Sequence, residues 1–152
     1  MGVSDKVPES QVDSKELNCL ALNIYHEARG ESEEGQVAVA AVTMNRTLLR
    51  GFPETVCGVV YQARRLTEWS KPKFCQFSWV CQFQKQVMDL SSWRKAQNIA
   101  YNYLDNQYED PTKGAAYYHA KYVQPGWRLP FKTSIGNHKF YGTRSRTSKS
   151  NI

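Results

Sequence analysis

No stretch of this 152-residue chain is long and apolar enough to cross a bilayer. A spanning helix needs roughly 18 consecutive apolar residues, and the longest uninterrupted run is Val37 to Val42. Membrane insertion is therefore not expected. The opening MGVSDKVPES lacks the charged lead and apolar stretch of a secretory signal, and Lys6 stands where a myristoylation motif wants Ser or Thr. Metal ligands are equally scarce. No C-x-x-C pair occurs, and His26 beside Glu27 has no second His one turn later, so no metal and no other cofactor is expected. There is no internal repeat and no low-complexity segment outside the tail. Nothing resembles an RNA- or DNA-reading motif, so a nucleic-acid partner is not expected.

What is present is an ordinary folded composition: 41% hydrophobic, 12% aromatic and 22% charged residues, with 20 Lys+Arg against 14 Asp+Glu for a net charge of +6. Such a charge favours an anionic partner without choosing among nucleic acid, acidic lipid and bacterial wall. Three cations, Arg144, Arg146 and Lys149, sit in a basic end and leave +3 when discounted. Four cysteines are too few to staple a miniature fold. Cys75 and Cys81 flank a Q-F-S-W-V run and can bridge in an oxidising compartment, Cys57 with Cys75 being another pairing. Cys19 lies in an apolar helical pattern and reads most simply as a small buried hydrophobe.

From Asp13 or Ser14, either a plausible N-cap, the apolar positions Leu17, Leu20, Ala21, Ile24 and Ala28 form one helical face. Gly30 is expected to end that helix in the left-handed conformation. A second helix follows Ser32, with Val37, Ala40, Ala41, Met44 and Leu48 on its buried stripe and Gly51 beyond its end. Phe52-Pro53 begins a short third helix, roughly 54–61, where Val56, Val59 and Val60 share a face. Segment 62–74 reads as a surface loop and 75–83 as strand or extended loop. Ser91 or Ser92 caps a fourth helix to about Asn106, with Trp93, Ala96, Ala100 and Leu104 inward. A turn at 110–114 leads to a strand over 115–123, and Gly136-Asn137 marks a tight hairpin within 131–141. The expectation is a loose lead-in 1–12, a single domain 13–142 and a basic flexible tail 143–152. Helices precede strands, which makes the fold α+β, mostly helical with a small antiparallel sheet.

Functional groups concentrate where the first helix runs out, in Asn23-Ile24-Tyr25-His26-Glu27-Ala28-Arg29-Gly30-Glu31. Glu27 borders the buried face, so its carboxyl would be partly desolvated, its pKa raised, and its proton kept for use as a general acid. Glu31, four residues on, would make an acid and base pair with it if the helix continued past Gly30. Blander readings compete at each place. Glu27 can be a solvated helix-end carboxylate, Arg29 can pair with Glu33, the Cys75-Gln76-Phe77-Ser78-Trp79 run can be an edge strand, and His119 can be a packed histidine.

The combination goes further than its parts. Glu27-Ala28-Arg29-Gly30-Glu31, Cys75-Gln76-Phe77-Ser78-Trp79, Tyr118-His119-Ala120, Pro125-Gly126-Trp127 and Ile135-Gly136-Asn137-His138-Lys139-Phe140-Tyr141 occur in this order. The series resembles the SleB-like cell wall hydrolases, a family of spore cortex-lytic enzymes that also includes bacteriophage lysins, over about 17–141. The resemblance implies a lysozyme-like fold and a lytic transglycosylase with one essential glutamate, which the E-A-R-G-E motif places at Glu27. It implies cleavage of peptidoglycan glycan strands between N-acetylmuramic acid (MurNAc) and N-acetylglucosamine (GlcNAc), leaving 1,6-anhydro-MurNAc ends. Since that product needs no second carboxylate, Glu31 is free to anchor the loop through backbone amides. By analogy with related transglycosylases, Gln76 and Ser78 are expected along the sugar groove and Tyr118 near the acid. Trp79 and His119 are further substrate-binding candidates, and Trp79, Tyr118 and Trp127 would stack on sugar faces. Two positions depart from the family pattern: Gln82 stands where Asp often follows the second cysteine, and Tyr117 where many members have His.

With no visible leader, the expectation is a monomeric phage endolysin made in the host cytoplasm and acting in the periplasm or at the wall. The competing expectations are a lysozyme-type hydrolysing muramidase with Glu31 as second carboxylate, a non-catalytic wall-binding or virion structural module, and a nucleic-acid binder with steep salt dependence.

Overall fold

The computed structural model describes residues 11–64, 67, 70–82 and 85–144. The expected tail from 145 onward and all but the end of the lead-in lie outside the described residues. Helix α1 spans Ser14–Ala28. Its cap is Asp13, whose carboxylate accepts from the backbone N–H groups of Lys15 at 2.8 Å and Glu16 at 3.2 Å. The helix ends at Arg29 in right-handed geometry, and the Glu31 N–H donates to the Ala28 carbonyl at 2.8 Å. Gly30 is not among the glycines of positive φ, so the expected left-handed cap is absent. The tighter turn closes the helix without it.

Helix α2, Glu33–Thr47, starts at Ser32 as expected, with the Ser32 Oγ accepting from the Gly35 N–H. Its burial is broader than a stripe, since every residue from Val37 to Thr43 is buried. A helix apolar all round needs neighbours all round, and α2 packs against α1, against α3 (Val56–Val60), against α4 (Leu90–Leu104) and against the sheet. Leu48 is 60% exposed rather than inward, because it follows the last helical residue. Asp89 caps α4 in place of Ser91 or Ser92, accepting from the Ser92 N–H at 3.2 Å and its hydroxyl at 2.7 Å. Within α4, Ala96, Ile99 and Ala100 are buried, and Trp93 and Leu104 partly so. Within the expected strand or extended loop at 75–83, whose last residue lies outside the described residues, Ser78–Cys81 forms a short 3₁₀ turn.

Three short strands, β1 (Tyr117–Ala120), β2 (Phe131–Ile135) and β3 (His138–Tyr141), make an antiparallel sheet in the order β1-β3-β2. The β2–β3 turn is the expected hairpin, with Gly136 at φ +55°. The inner sheet face contributes Ile135 and Phe140 to a small core with Ala38, Val42 and Ala115. A larger core joins α1, α3 and α4 with Phe77 and Trp79. Tyr118 packs against both. Among the described residues no helix is long and apolar enough to cross a membrane.

All four cysteines are paired. Cys75 bridges Cys81, one of the pairings open from the sequence, and Cys19 bridges Cys57. Cys19 is buried as expected but is half of a disulfide, because its place on the inner face of α1 brings it to α3, with Cα atoms 5.2 Å apart. The two loops differ in length, with sequence separations of 38 and 6. Loop-closure entropy assigns them about 4 and about 2.5 kcal/mol. Cys19→Ser/Cys57→Ser is therefore expected to lower the urea midpoint more than Cys75→Ser/Cys81→Ser, and equal shifts would show that chain entropy does not set their contributions.

Candidate active site

Glu27 occupies the last turn of α1, where the helix leaves the core and meets β1. The Tyr118 hydroxyl donates to Glu27 Oε1. Burial raises the Glu27 pKa, and the Tyr118 hydroxyl and the positive charge of Arg46 pull it back without cancelling the rise. Burial and the neighbouring Glu27 push the Tyr118 pKa well above its ordinary value, so the phenol keeps its proton and donates it as a hydrogen bond. Period-two alternation explains the meeting: Tyr118 shares the inner face with Phe140 opposite, while Tyr117 and His119 point to the other side.

Arg46 completes the electrostatics and did not emerge from the sequence. It is 2% exposed on α2, its Nε donates to the Ala116 carbonyl at 2.7 Å, and its guanidinium lies 5.1–5.3 Å from the ring centres of Phe52, Phe77 and Tyr117. Burial lowers its pKa, with Tyr118, Tyr117 and Glu27 opposing. A cation one turn beyond the uninterrupted apolar run Val37 to Val42 was the available signal.

Glu31 turns away from Glu27 chemistry. Its carboxylate accepts from the Asn137 backbone N–H and side-chain amide, both at 3.2 Å, and lies 3.6 Å from His138 Nδ1. Burial alone would raise its pKa, but Asn137 and His138 outweigh it and hold the carboxyl below its usual range. A Cβ on Gly136 would stand 2.7 Å from Glu31 Oε1, so the hairpin glycine is what lets the carboxylate in. Glu31 thus fastens the end of α1 to the hairpin.

Trp79, a substrate-binding candidate from the sequence, is 8% exposed and packs into the larger core. Its indole N–H donates to Asn23 Oδ1 at 2.9 Å, and the Asn23 amide donates to Thr43 Oγ1 at 3.1 Å, which seats the 3₁₀ turn on α1 and α2. It also stacks on His26 at 4.5 Å, where burial, Arg29 and Lys85 lower the His26 pKa to about 4. Arg29 lies over the Tyr25 ring at 4.8 Å and donates to the Tyr25 carbonyl, in place of the expected pair with Glu33. Gln76 and Ser78 are exposed on the same segment. Gln76 lines a cleft of about 430 Å³ with Tyr117, Trp127, Arg128, Leu129 and Arg144. Glu27 and Tyr118 are not among the residues lining it, and its Tyr117 ring is the one that Arg46 packs against. His119 faces away from Glu27. Its Nδ1 donates to the Ala120 carbonyl at 2.7 Å, which makes Nε2 the acceptor of the Tyr141 hydroxyl at 2.9 Å.

Comparison with known proteins adds three findings. A family model described as Cell Wall Hydrolase matches residues 30–141, beginning three residues after Glu27. A spore cortex-lytic enzyme of Bacillus cereus is 33% identical over 82% of this chain and 43% of its own length, and one of Halalkalibacterium halodurans is 32% identical over 88% of this chain and 36% of its own. The chain therefore spans less than half the length of these relatives. The catalytic domain of the germination-specific lytic transglycosylase SleB from Bacillus anthracis superposes with a TM-score of 0.64, at 28% identity, over 89% of this chain and 99% of that one. The catalytic domain of the Bacillus cereus SleB protein superposes with the same TM-score at 31% identity, over 88% and 94%. The fold is the lysozyme-like α+β arrangement expected from the sequence.

A raised carboxyl pKa has a thermodynamic signature. Folding favours the protonated Glu27, so that stabilisation is complete below the unfolded-state pKa near 4.3 and is lost as pH rises through the folded value. Glu27→Gln is expected to match the wild type in thermal melts near pH 4 and to melt higher at pH 7–8. A difference independent of pH would contradict the raised pKa.

Proposed function

The chain belongs to the Cell Wall Hydrolase family, and from that premise we propose that it degrades peptidoglycan as a lytic transglycosylase, with Glu27 serving in turn as acid and base. The protonated carboxyl gives its proton to the glycosidic oxygen between MurNAc and GlcNAc, the C1–O bond breaks, and GlcNAc departs with its hydroxyl restored. The Glu27 carboxylate then takes the proton of the muramyl C6 hydroxyl as that oxygen bonds to C1, which closes the 1,6-anhydro ring and returns the acid. Burial favours the protonated form from which the reaction starts, and the Tyr118 hydroxyl with the Arg46 charge supports the carboxylate formed midway. What carries the reading is the difference between the two carboxyls: Glu27 is partly desolvated with one donor, and Glu31 is committed to Asn137. A hydrolysing muramidase of the usual design needs a second free carboxylate.

Gln76, Ser78, Tyr118 and His119 contact substrate in this proposal. Peptidoglycan glycan strands are its partner, without nucleic acid, and the protein acts as a monomer. We place the activity in a phage endolysin, a reading supported by the sequence resemblance to a family that includes phage lysins.

Digestion of purified sacculi, with mass spectrometry of the products before and after borohydride, tests the chemistry. Wild type is expected to give ends resistant to reduction, and Glu27→Gln to cleave about 10²-fold more slowly or worse. Reducible muramyl ends would replace the transglycosylase with a hydrolase, and undiminished Glu27→Gln activity would remove Glu27 from the mechanism. Tyr118→Phe deletes a donor to the carboxylate, so the alkaline limb of its pH–rate profile is expected to move to higher pH with a lower maximum. An unmoved limb would separate Tyr118 from the acid.

A further inference from the structure

Charge is divided unevenly along this chain. Residues 1–110 carry 12 Lys+Arg and 14 Asp+Glu, whereas residues 111–152 carry 8 Lys+Arg and no acidic residue at all. The helical part is thus slightly acidic, and the sheet with its 121–130 loop is purely cationic. The outer face of that sheet holds a hollow of about 300 Å³ walled by His119, Trp127 and Tyr141, with Lys121 and Lys139 at its edge. Strand register explains the grouping. His119 pairs with Lys139, and Tyr117 with Tyr141, so these four side chains share one face.

The walls are held in place before any ligand arrives. His119 is fixed by its two hydrogen bonds and stacked on Tyr141 at 5.2 Å, and Trp127 stands edge-on to His119 at 5.2 Å and to Tyr141 at 5.6 Å. Trp127 nevertheless stays 39% exposed. Among the described residues neither Lys121 nor Lys139 has an ion-pair partner. Rigid aromatic walls offer contact area at little entropic cost, and two free ammonium groups ask for carboxylates. The shape is concave, which suits a substituent projecting from a polymer better than a flat bilayer surface.

We propose that this outer-face hollow binds the peptide stem of peptidoglycan: the aromatic walls of His119, Trp127 and Tyr141 take its alanyl and lactyl groups while Lys121 and Lys139 take its carboxylates. The inference rests on the wall-degrading function proposed above and adds that the stem is gripped on the face of β1 opposite to Tyr118 and Glu27.

The test is binding of the full chain carrying Glu27→Gln, which leaves the wall whole, to purified sacculi free of teichoic acid. Sacculi are used intact and after an amidase has removed the stems, the glycan strands so released being immobilised and the lactyl carboxylate that the amide hydrolysis uncovers being capped as its methylamide. Stem removal is expected to weaken binding about tenfold, the size expected for two exposed ion pairs together with the aromatic contacts. Lys121→Gln/Lys139→Gln should lose a similar factor on intact sacculi and nothing further on stripped ones, while Lys113→Gln, outside the hollow, binds like its parent. Equal binding of the parent to intact and stripped sacculi overturns the proposal, and this arm uses no variant whose folding is in question. An equal loss for the lysine pair on both substrates would assign the lysines to the glycan, and tighter retention on anionic phospholipid vesicles than on sacculi would assign the face to lipid. Both outcomes overturn it. Failure of the enzymatic reading shows separately, as absence of cleavage by the wild type with wall binding intact.

Discussion

A single buried cation holds the two parts of this molecule in register. Arg46 leaves α2 inside the core, where an unpaired charge costs several kcal/mol, and it is tolerated because its Nε meets the Ala116 carbonyl and three aromatic rings enclose its guanidinium. Those contacts come from the 51–53 turn, the 75–81 segment and the approach to β1, so one side chain gathers three distant stretches. Its neighbour Asn45 repeats the device, donating to the Ala115 carbonyl and to Asp110. With β1 pinned in this way, Tyr118 can present its hydroxyl to Glu27 from a fixed distance. The same positive charge tempers the rise in the Glu27 pKa that burial causes.

Two glutamates four residues apart do different work because the helix stops between them. Had α1 run on past Gly30, Glu27 and Glu31 would stack on one face and repel each other. The turn at Arg29 instead swings Glu31 to the hairpin, where Asn137 and His138 lower its pKa, while Glu27 stays against the core with its pKa raised. The opposite shifts in neighbouring carboxyls follow from the different surroundings to which the backbone delivers them.

Local chemistry made much of this legible in the sequence. Asp13, Ser32 and Gly136-Asn137 announce the starts of α1 and α2 and the hairpin, and apolar periodicity finds all four helices. Glu27 and Tyr118 follow from motif order, and alternation along β1 explains why they meet. What escaped depends on contacts between remote residues. Trp79 reads as a groove residue until Asn23, 56 positions earlier, takes its indole N–H. Asp89 outcompetes two serines as a cap because the Tyr25 hydroxyl accepts from the Met88 and Asp89 N–H groups, each at 3.0 Å, and so sets the backbone entering α4. Cys19 needs α3 to reveal its partner, and Arg46 needs a ring of aromatics that no window of sequence contains.

The covalent ties are not spread evenly. Both disulfides lie before residue 82 and brace α1, α3 and the 3₁₀ turn, whereas the sheet, among the described residues, is held without a covalent tie, by hydrogen bonds, core packing and the Glu31 and Arg46 fastenings. Regions without such bracing are the first to open in local fluctuations. Opening of the sheet would carry Tyr118 away from Glu27 while the helices stayed assembled, so on warming the acid would lose its partner before the protein lost its helicity.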